Sequence, residues 1–411
     1  MAGCQIPPTG DDHGDTRQTA TSIMPAPVSI VSGQLEGTAD IDYFGLVVTS
    51  TRTVYAATRS RAFEVSIETA GYASSSGTFQ DAATIVPGQG GSAEVYVRVS
   101  GAPSVPYQLA VWSIARTEPD PSFDIDLVYV GAEPTAKQRA IIRAAAGVWE
   151  NVVASGFPDE PVLTNAWRCR PGDPDPFGDV IDDLRIYFRL EPAEETSAGL
   201  ARAGTCWERS GGLPLISEVI LDTETLGGLG DDVLRTLVVH EVAHALGFGS
   251  SRRWDDMLQS AASGHVPDEA APPDTHFPGQ RAVSAFDEVG GGAYRGRKVP
   301  VENDAGRYGA GSVDNHWRES VFGPELMTPR LSKSSGDQPL STVTIAALAD
   351  LGYHVDFTHA EAYTLPGGTP FRVAGELQEL HLGDDIRRGP TGVALTSPQP
   401  IPRVYPLMRR Q

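Results

Sequence analysis

Three residues near the middle of the chain have the types and the spacing that a catalytic metal site requires. They lie in the stretch 238–249, which reads Val-Val-His-Glu-Val-Ala-His-Ala-Leu-Gly-Phe-Gly. In a helix, His240 and His244 are four residues apart, so both imidazoles lie on one face and can reach one metal ion. Glu241 projects about 100° further round the helix, where its carboxylate can take a proton from water. The pattern is short, and in a buried helix both histidines could equally be hydrogen-bonded core residues.

The residues after His244 favour the catalytic interpretation. Gly247 lies three residues further on, where a glycine lets the helix end and the chain turn sharply beneath a metal. This arrangement resembles the first part of the HExxHxxGxxH pattern of the metzincin zinc proteases. Ser250 stands where that pattern has its last histidine, so a third ligand must come from elsewhere.

A downstream stretch supplies a candidate for that ligand. It runs from His316 to Thr328 and reads His-Trp-Arg-Glu-Ser-Val-Phe-Gly-Pro-Glu-Leu-Met-Thr. It resembles the leishmanolysin family, in which an insertion separates the catalytic helix from the third zinc histidine and a methionine turn forms the floor of the site. The resemblance implies that His316 is the third zinc ligand and that Met327 is the turn methionine, a soft apolar base that does not bind the metal.

Further motifs, in the same order along the chain, extend this resemblance. It covers roughly residues 123–357 and implies one catalytic zinc and a zinc-dependent metalloendopeptidase. The motifs are Leu200–Trp207, Gly212–Ile216, Val299–Asn303 and Leu348–Tyr353.

The resemblance also implies a mechanism. Three neutral histidines leave zinc its full charge and one open position, at which it would activate water. Glu241 would be the general base and would return the proton to the leaving amine. The strand before the catalytic helix, Leu215–Leu221, would pair with an extended substrate. Met327–Leu331 would form the wall of the pocket beyond the scissile bond, and Pro329 stands where some metzincins have a tyrosine that assists the transition state.

Other residues compete for the third ligand position. His265 and His276 lie in the insertion and could reach the metal if that loop folds back. Glu269 or Glu288 would give a site with two histidines and a glutamate, although neither lies in a clear helix. The remaining histidines are interpreted as surface or packing residues: His13, His354, His359 and His381.

The elements that would position these residues alternate between strands and helices, which is typical of an α+β or α/β unit. The predicted strands are Phe123–Val130, Asp183–Leu190 and Leu215–Leu221. The predicted helices are Pro134–Val153, Asp231–Leu246 and Ser341–Leu351, with Pro134 near the first helical position. We therefore expect an α+β metzincin-type domain at residues 123–357, with a long loop-like insertion at 250–315.

The N-terminal part has a different pattern. After a polar segment at 1–22, short alternating strands between glycine-rich turns predict an all-β sandwich at 23–116, joined by a linker at 117–122. A proline-rich tail at 358–411 is expected to be irregular, and the whole chain multidomain. The clearest sandwich strands are Tyr43–Val48, Thr53–Ala56, Phe63–Ile67, Glu94–Val99 and Tyr107–Val111.

Aspartate-rich motifs open the sandwich. Asp11–Asp15, Gly33–Gly37 and Asp40–Phe44 resemble bacterial pre-peptidase C-terminal domains, which are β-sandwich accessories of secreted proteases. The clustered aspartates could hold Ca²⁺ or could equally be solvated turn residues. They are Asp11, Asp12, Asp15, Asp40 and Asp42.

The composition narrows the class of protein. Of 411 residues, 53 are acidic and 32 are basic, so the formal net charge is −21. This balance argues against a protein that binds nucleic acid or anionic membranes. No run of about 18 apolar residues is present, so no transmembrane segment is expected. We expect protein or peptide substrates as partners, and a monomer.

The cysteines bear on the compartment. In an exported protein Cys169 and Cys206, each close to a tryptophan, would pair and leave Cys4 over, whereas in a cytosolic protein they would be free. The protease interpretation favours an extracellular or cell-surface protein, and hence the disulfide. No export signal is visible after Met1; Ala2-Gly3-Cys4 resembles the end of a lipoprotein cleavage box, so Cys4 is either a lipidation site or an ordinary tail cysteine.

Two other functions stay open. One is a catalytically weak or inactive adhesion or binding protein on a protease-like scaffold, against which the intact His240, Glu241, His244 and Gly247 argue. The other is a zinc hydrolase of non-peptide amides, which we rank lower because this layout is mostly used on peptides.

Overall fold

The chain is described here from a computed structural model. The residues that the structure describes are 12–24, 28–69, 72–73, 78–87, 91–115, 122–163, 166–192, 200–223, 228–260, 273–294, 298–332, 338–366, 379–381 and 403–405.

Strands dominate the N-terminal half of the described residues, and helices become frequent later. The strands are β1 (Thr21–Ser22), β2 (Val28–Gln34), β3 (Asp42–Val48), β4 (Arg52–Thr58), β5 (Phe63–Thr69), β6 (Tyr72–Ala73), β7 (Gln80–Ile85), β8 (Ala93–Gly101), β9 (Pro106–Ala115), β10 (Ile125–Gly131), β11 (Glu160–Pro161), β12 (Val180–Ile181), β13 (Leu184–Glu191), β14 (Ala201–Glu208), β15 (Pro214–Asp222), β16 (His276–Phe277), β17 (Val299–Pro300), β18 (Arg330–Ser332), β19 (Glu379–His381) and β20 (Arg403–Tyr405). The α-helices are α1 (Ala136–Val152), α2 (Asp231–Ala245), α3 (Arg252–Met257), α4 (Gln280–Glu288), α5 (Ala305–Tyr308), α6 (Glu319–Phe322) and α7 (Thr342–Leu351).

The N-terminal unit consists of two five-stranded sheets around one core. Their strand orders are β1-β3-β8-β5-β6 and β2-β9-β4-β7-β20. Strand β8 shows the period of two, because Val95, Val97 and Val99 are fully buried whereas Glu94 is exposed. Residues of both sheets, such as Phe44 and Leu109, share the core. Each of the five predicted sandwich strands lies inside an observed strand.

The C-terminal tail differs from the expectation of an irregular segment. Strand β19 pairs antiparallel with β18, and β20 joins the sandwich as a parallel neighbour of β7. The prediction is wrong for these two segments because pairing with an available sheet edge can order a strand whose own sequence carries no pattern.

The second unit is built around a four-stranded sheet with the order β10-β13-β15-β14. The strands β10, β13 and β15 run parallel, and β14 runs antiparallel to β15 at one edge. All nine residues of β15 are buried, as expected for a parallel strand that is covered on both faces. Helices α1 and α2 cover one face, and residues 160–181 cover the other.

This topology corrects one expectation about substrate binding. Leu215–Leu221 lies in β15, and β15 already pairs with β13 on one side and β14 on the other. Its backbone groups are therefore committed, and it cannot take up a substrate strand. The edge strand next to it is β14.

Helix α1 shows how local sequence sets an element. Thr135 caps its start and forms a capping box with Gln138, so Pro134 lies just before the cap rather than in the first turn. The apolar stripe is buried, and Trp149 donates a hydrogen bond of 2.8 Å from Nε1 to the carbonyl of Val239 in α2.

Helix α2 begins after Gly230 with Asp231 and Asp232 in its first turn, where their negative charges interact favourably with the helix dipole. Eleven of its fifteen residues are buried. Helix α7 is capped by Ser341 and ends at Gly352, which has a φ of +115°, so its predicted bounds are confirmed within a residue.

The insertion is more ordered than a loop. Its described residues include α3, α4, α5 and the paired strands β16 and β17. Trp254 and Phe277 are fully buried and stack with ring centroids 4.7 Å apart, and Trp317 joins them at 5.6 Å from Trp254. These scattered aromatic residues form a core that the weak periodicity of the segment does not reveal.

Within the described ranges, no helix combines the length and the apolar character that crossing a membrane would need.

Candidate metal centre

Helix α2 presents His240 and His244 one turn apart, and two glycines then redirect the chain. Gly247 has a φ of +97°, and its N–H donates to the carbonyl of His244. Gly249 has a φ of +70°, and a Cβ there would lie 2.2 Å from the carbonyl oxygen of Asn315. Only glycine permits both the conformation and this close approach. The turn therefore brings the segment that carries His316 against the end of the helix.

The three imidazoles of His240, His244 and His316 meet at one point. Their Nε2 atoms lie 3.0 Å (His240–His244), 3.1 Å (His244–His316) and 3.2 Å (His240–His316) apart. All three side chains are fully buried. The structure therefore brings together the three residues that the sequence and the resemblance select.

The other ring nitrogens fix the tautomers. Each Nδ1 lies against a backbone carbonyl: that of Leu326 at 2.6 Å for His240, that of Phe248 at 2.7 Å for His244 and that of Ser312 at 3.1 Å for His316. A carbonyl only accepts, so each Nδ1 carries the proton. The three Nε2 lone pairs then converge.

This donor set fits a zinc ion. Converging lone pairs repel one another unless a cation lies between them, and imidazoles held through Nδ1–H to carbonyls are the usual supporting arrangement of metal-binding histidines. Tetrahedral zinc with nitrogens about 2.05 Å away would separate those nitrogens by about 3.3 Å. The observed separations of 3.0–3.2 Å are close to that value.

Glu241 and Met327 lie in the same buried region. Glu241 follows His240 in α2 and is fully buried. Met327 is also fully buried, and its carbonyl accepts a hydrogen bond of 2.9 Å from the backbone N–H of Trp317. Met327 is thereby tied to the residue next to His316.

Glu325 is a residue of this region that the sequence analysis did not select. Its carboxylate accepts bonds from the N–H of Met327 (2.6 Å) and from the hydroxyls of Ser341 (2.6 Å) and Thr344 (2.5 Å). Thr344 in turn accepts the Nε1–H of Trp317 at 2.8 Å. Burial raises the pKa of Glu325, and the donated hydrogen bonds oppose that rise. In the sequence, Glu325 is a charged residue within the mostly apolar stretch 321–327, and this could have marked it as a buried, hydrogen-bonded carboxylate.

Ser250 has a definite role although it is not a ligand. Its hydroxyl donates to the carbonyl of His244 at 2.5 Å and lies 3.1 Å from the hydroxyl of Thr205 in β14. It therefore links the C-terminal end of helix α2 to the edge strand.

The rival ligands that can be located lie elsewhere. His276 is in β16, with Nδ1 2.8 Å from the carbonyl of Asp274, and Glu288 is exposed at the end of α4. His265 and Glu269 lie outside the described residues.

The remaining histidines do not join the group of three either. His13 contacts Thr21 and the carbonyl of Ser32, whereas His354 and His359 are exposed. Of His381 only the backbone, in β19, is described.

The aspartates predicted to hold calcium mostly serve as local acceptors. Asp12 accepts the N–H of Gln34 at 3.0 Å, Asp40 that of Glu36 at 2.5 Å, and Asp42 the hydroxyl of Tyr107. Burial and then the neighbouring Asp40 raise the pKa of Glu36 to about 7. Asp11 lies outside the described residues.

Among the described residues, two groups of three or more potential metal ligands have their ligand atoms within 4.8 Å of one another. One is the three histidines, and the other is Asp124 with Asp182 and Asp183. The predicted calcium aspartates form no such group there. Asp183 accepts the N–H groups of Asp124 and Phe157, at 2.8 and 2.5 Å, which gives that carboxylate a structural role.

The predicted disulfide between Cys169 and Cys206 is present. It joins residues 160–181, which cover one face of the sheet, to the edge strand β14. Trp207 reinforces the junction, because its Nε1 donates to the carbonyl of Arg168 at 3.0 Å.

Comparison with known proteins identifies relatives of the second unit. The family model for leishmanolysin matches residues 177–369. Leishmanolysin of Leishmania donovani is 30% identical over 212 residues, which cover 51% of this chain and 33% of that protein. Leishmanolysin of Leishmania major is 28% identical over 180 residues, covering 44% and 28%. The chain thus spans about a third of the length of these relatives, and the leishmanolysin resemblance is confirmed over that stretch.

Solved structures match a smaller part of the chain. A periplasmic inhibitor of g-type lysozyme from Aeromonas hydrophila, PliG, is 16% identical and covers 23% of this chain and 96% of its own, with a TM-score of 0.19. The pre-peptidase C-terminal domain of a Bacillus anthracis collagenase is 11% identical and covers 23% and 93%, with a TM-score of 0.18. Both scores are too low to bear on the site.

Proposed function

We propose that this protein is a zinc-dependent metalloendopeptidase that hydrolyses peptide bonds of proteins. The observation that carries the proposal is the convergence of three buried Nε2 atoms, each on a ring whose Nδ1 is held by a backbone carbonyl. The leishmanolysin likeness over residues 177–369 supports the same activity.

His240, His244 and His316 would hold the zinc. When bound, the ion would polarise the substrate carbonyl and acidify a water molecule. The three carbonyls behind the rings hold the proton on each Nδ1 and aim each Nε2 inward. Met327 would provide an apolar floor below them.

Glu241 would move the proton. Its place in α2, one residue after His240, directs it to the side of the metal that the histidines do not occupy. It would accept a proton as water attacks the peptide carbonyl and would donate it to the leaving nitrogen. The site residues are buried, so little bulk water reaches them.

The edge strand β14 is the better candidate for substrate pairing. Among the described residues it has a partner strand on one side only; it lies beside α2 and is tied to His244 through Thr205 and Ser250. An extended peptide could add to this edge by main-chain hydrogen bonds. Met327–Leu331 would then contact the substrate side chain beyond the scissile bond.

The disulfide also bears on the compartment in which the protein works. A disulfide persists in oxidising surroundings, which supports an extracellular or cell-surface enzyme. Lipid attachment at Cys4, a calcium ion in the N-terminal unit and a monomeric state stay predictions.

The exchange Glu241→Ala tests the proposal. The variant should keep about one zinc per chain, because three histidines remain, and should lose at least ~100-fold in casein cleavage. The matched control is Glu288→Ala, which removes an exposed glutamate at the end of α4 and should leave both properties unchanged.

Each alternative function predicts a different result. Full activity of the Glu241→Ala variant contradicts the mechanism. A wild-type chain that binds zinc but cleaves no protein favours an adhesion protein, or a hydrolase of non-peptide amides if such substrates are turned over.

A further inference from the structure

We infer that the N-terminal sandwich is a fixed brace of the catalytic unit, which holds the edge strand β14 in position through a layer between them. The layer, called the cover segment below, comprises residues 160–181, of which 164–165 are not described. The structural claim stands on contacts alone, and only the expected effect on substrate rests on the proposed function.

One side of the cover segment packs on the sandwich. Leu163 and Phe177 form a cluster with Ala57, Ala110 and Trp112 of the sandwich strands. Trp112 is fully buried and donates from Nε1 to the carbonyl of Asp179 at 3.2 Å. A tryptophan on the outer face of a sandwich sheet would be exposed in an isolated domain, so this contact is a built interface.

Polar contacts surround this cluster. Arg59 forms an ion pair with Asp175 and also lies over the ring of Phe177, 4.9 Å from its centroid. Burial and the nearby Glu160 raise the pKa of Tyr55 to about 12. The rim of the interface thus combines a charge pair with a cation–π contact.

Gly178 lies against strand β2 of the sandwich. Its φ is +91°, and a Cβ at this position would lie 2.7 Å from Cδ1 of Ile30 in β2. The positive φ favours glycine at this turn, and the missing side chain leaves room for Ile30.

The other side of the cover segment packs on the catalytic sheet. Val162, Trp167 and Ile181 are buried against Tyr187 and Ile216. The two residues Val162 and Leu163 thus face opposite partners, as alternation in an extended chain predicts.

A buried charge network adds to this side. Glu218 of β15 forms ion pairs with Arg170 of the cover segment and with Arg189 of β13, each with a nitrogen–oxygen distance of 2.8 Å. Loss of one member would leave buried charge without compensation.

The path from the cover segment reaches the metal centre. Cys169 is bonded to Cys206 in β14, and the neighbouring Thr205 contacts Ser250, whose hydroxyl binds the carbonyl of His244. Strand β14 needs such support, because within the described ranges it pairs on one side only and its register shifts after Thr205. The sandwich thus acts on the site by positioning β14, without contacting substrate.

The exchange Arg59→Glu tests the brace in the full chain. It places a glutamate opposite Asp175 and removes the cation over Phe177. We expect thiol reagents to reduce the Cys169–Cys206 bond about 10-fold faster, and amide exchange of residues 201–208 to accelerate similarly. The matched control is Arg61→Glu, an exposed arginine of the same sandwich that lies over Phe79 instead.

Kinetics separate a brace from a general loss of stability. KM for extended peptides should rise about fivefold for Arg59→Glu, with kcat within about twofold and zinc content unchanged. Adding Asp175→Asn to Arg59→Glu removes the repulsion and should restore part of the protection. Trp112→Phe keeps one aromatic ring but loses the bond to Asp179 and part of the buried volume, and should show the same changes in weaker form.

Equal reduction and exchange rates in Arg59→Glu, Arg61→Glu and the wild type overturn the brace. Faster reduction and exchange without a rise in KM overturn its role in substrate binding. A wild-type chain without proteolysis overturns the proposed function instead, and the reduction and exchange rates still decide on the brace.

Discussion

Helix α2 and strand β14 contact each other, yet they are held in place by different means. Helix α2 forms its backbone hydrogen bonds within itself and buries eleven of fifteen residues, so packing is its main support. Strand β14 pairs on one side in the part of the chain that the structure describes, and is held by the disulfide, Trp207 and the Thr205–Ser250 contact. The comparison teaches that the metal ligands lie on a self-supporting element, whereas the proposed substrate edge is held by cross-links.

The largest expected effect comes from weakening the packing of α2. Trp149→Ala removes a fully buried ring whose Nε1–H binds the carbonyl of Val239, and should cost about 3–5 kcal/mol in the free energy of unfolding. Chemical denaturation measures it. Trp149→Phe should cost clearly less, and equal losses in both variants would show that packing is not what fixes the helix.

Removing the disulfide tests the opposite side of the comparison. The double exchange Cys169→Ser and Cys206→Ser opens a link between residues 37 apart and should cost about 3 kcal/mol. Amide exchange should rise in β14 and stay low in α2. Uniform acceleration in both elements would contradict the distinction.

Glu325 tests how the surroundings of α2 hold the ligands. Glu325→Ala leaves the N–H of Met327 and the hydroxyls of Ser341 and Thr344 without their acceptor, and should cost about 2 kcal/mol. Zinc affinity should fall about 10-fold, because the turn that holds His240 through Leu326 loosens. Competition with a chelator measures it, and Glu325→Gln should lie between the variant and the wild type. Unchanged affinity in Glu325→Ala would exclude a positioning role.

The smallest effect is expected for the contact between the two elements. Ser250→Ala should cost about 1 kcal/mol or less and raise exchange in β14 only. Ser250→Thr keeps a hydroxyl and serves as the control. Loss of zinc in Ser250→Ala would mean that Ser250 supports the metal site itself.

Features with local causes could be predicted from the sequence. The i,i+4 histidines and the bounds of helix α7, predicted as Ser341–Leu351 and observed as Thr342–Leu351, depend on a few neighbouring residues. His316 was found through the resemblance, because no local rule connects it to α2. The disulfide was accessible from two cysteines and an expected compartment.

Features that depend on distant pairing could not be predicted. Strand β14 begins Ala-Arg-Ala-Gly, which contains no strand signal, and its edge position is decided by which strands pair beside β15. For the same reason the sequence predicts substrate pairing at Leu215–Leu221, whereas the neighbouring strand β14 is the one with a free edge among the described residues. The docking of Trp112 on Asp179 and the donors around Glu325 likewise arise only when separate segments meet.

Zinc stoichiometry of His316→Ala tests the central claim most directly. The full chain, stripped with a chelator and reloaded, should hold about one zinc ion, and protein cleavage should return with it. His316→Ala should lose most of that zinc, whereas the control His276→Ala, a histidine outside the group of three, should bind it normally. Normal zinc binding by His316→Ala, with loss in His276→Ala, would contradict the assignment of the metal centre.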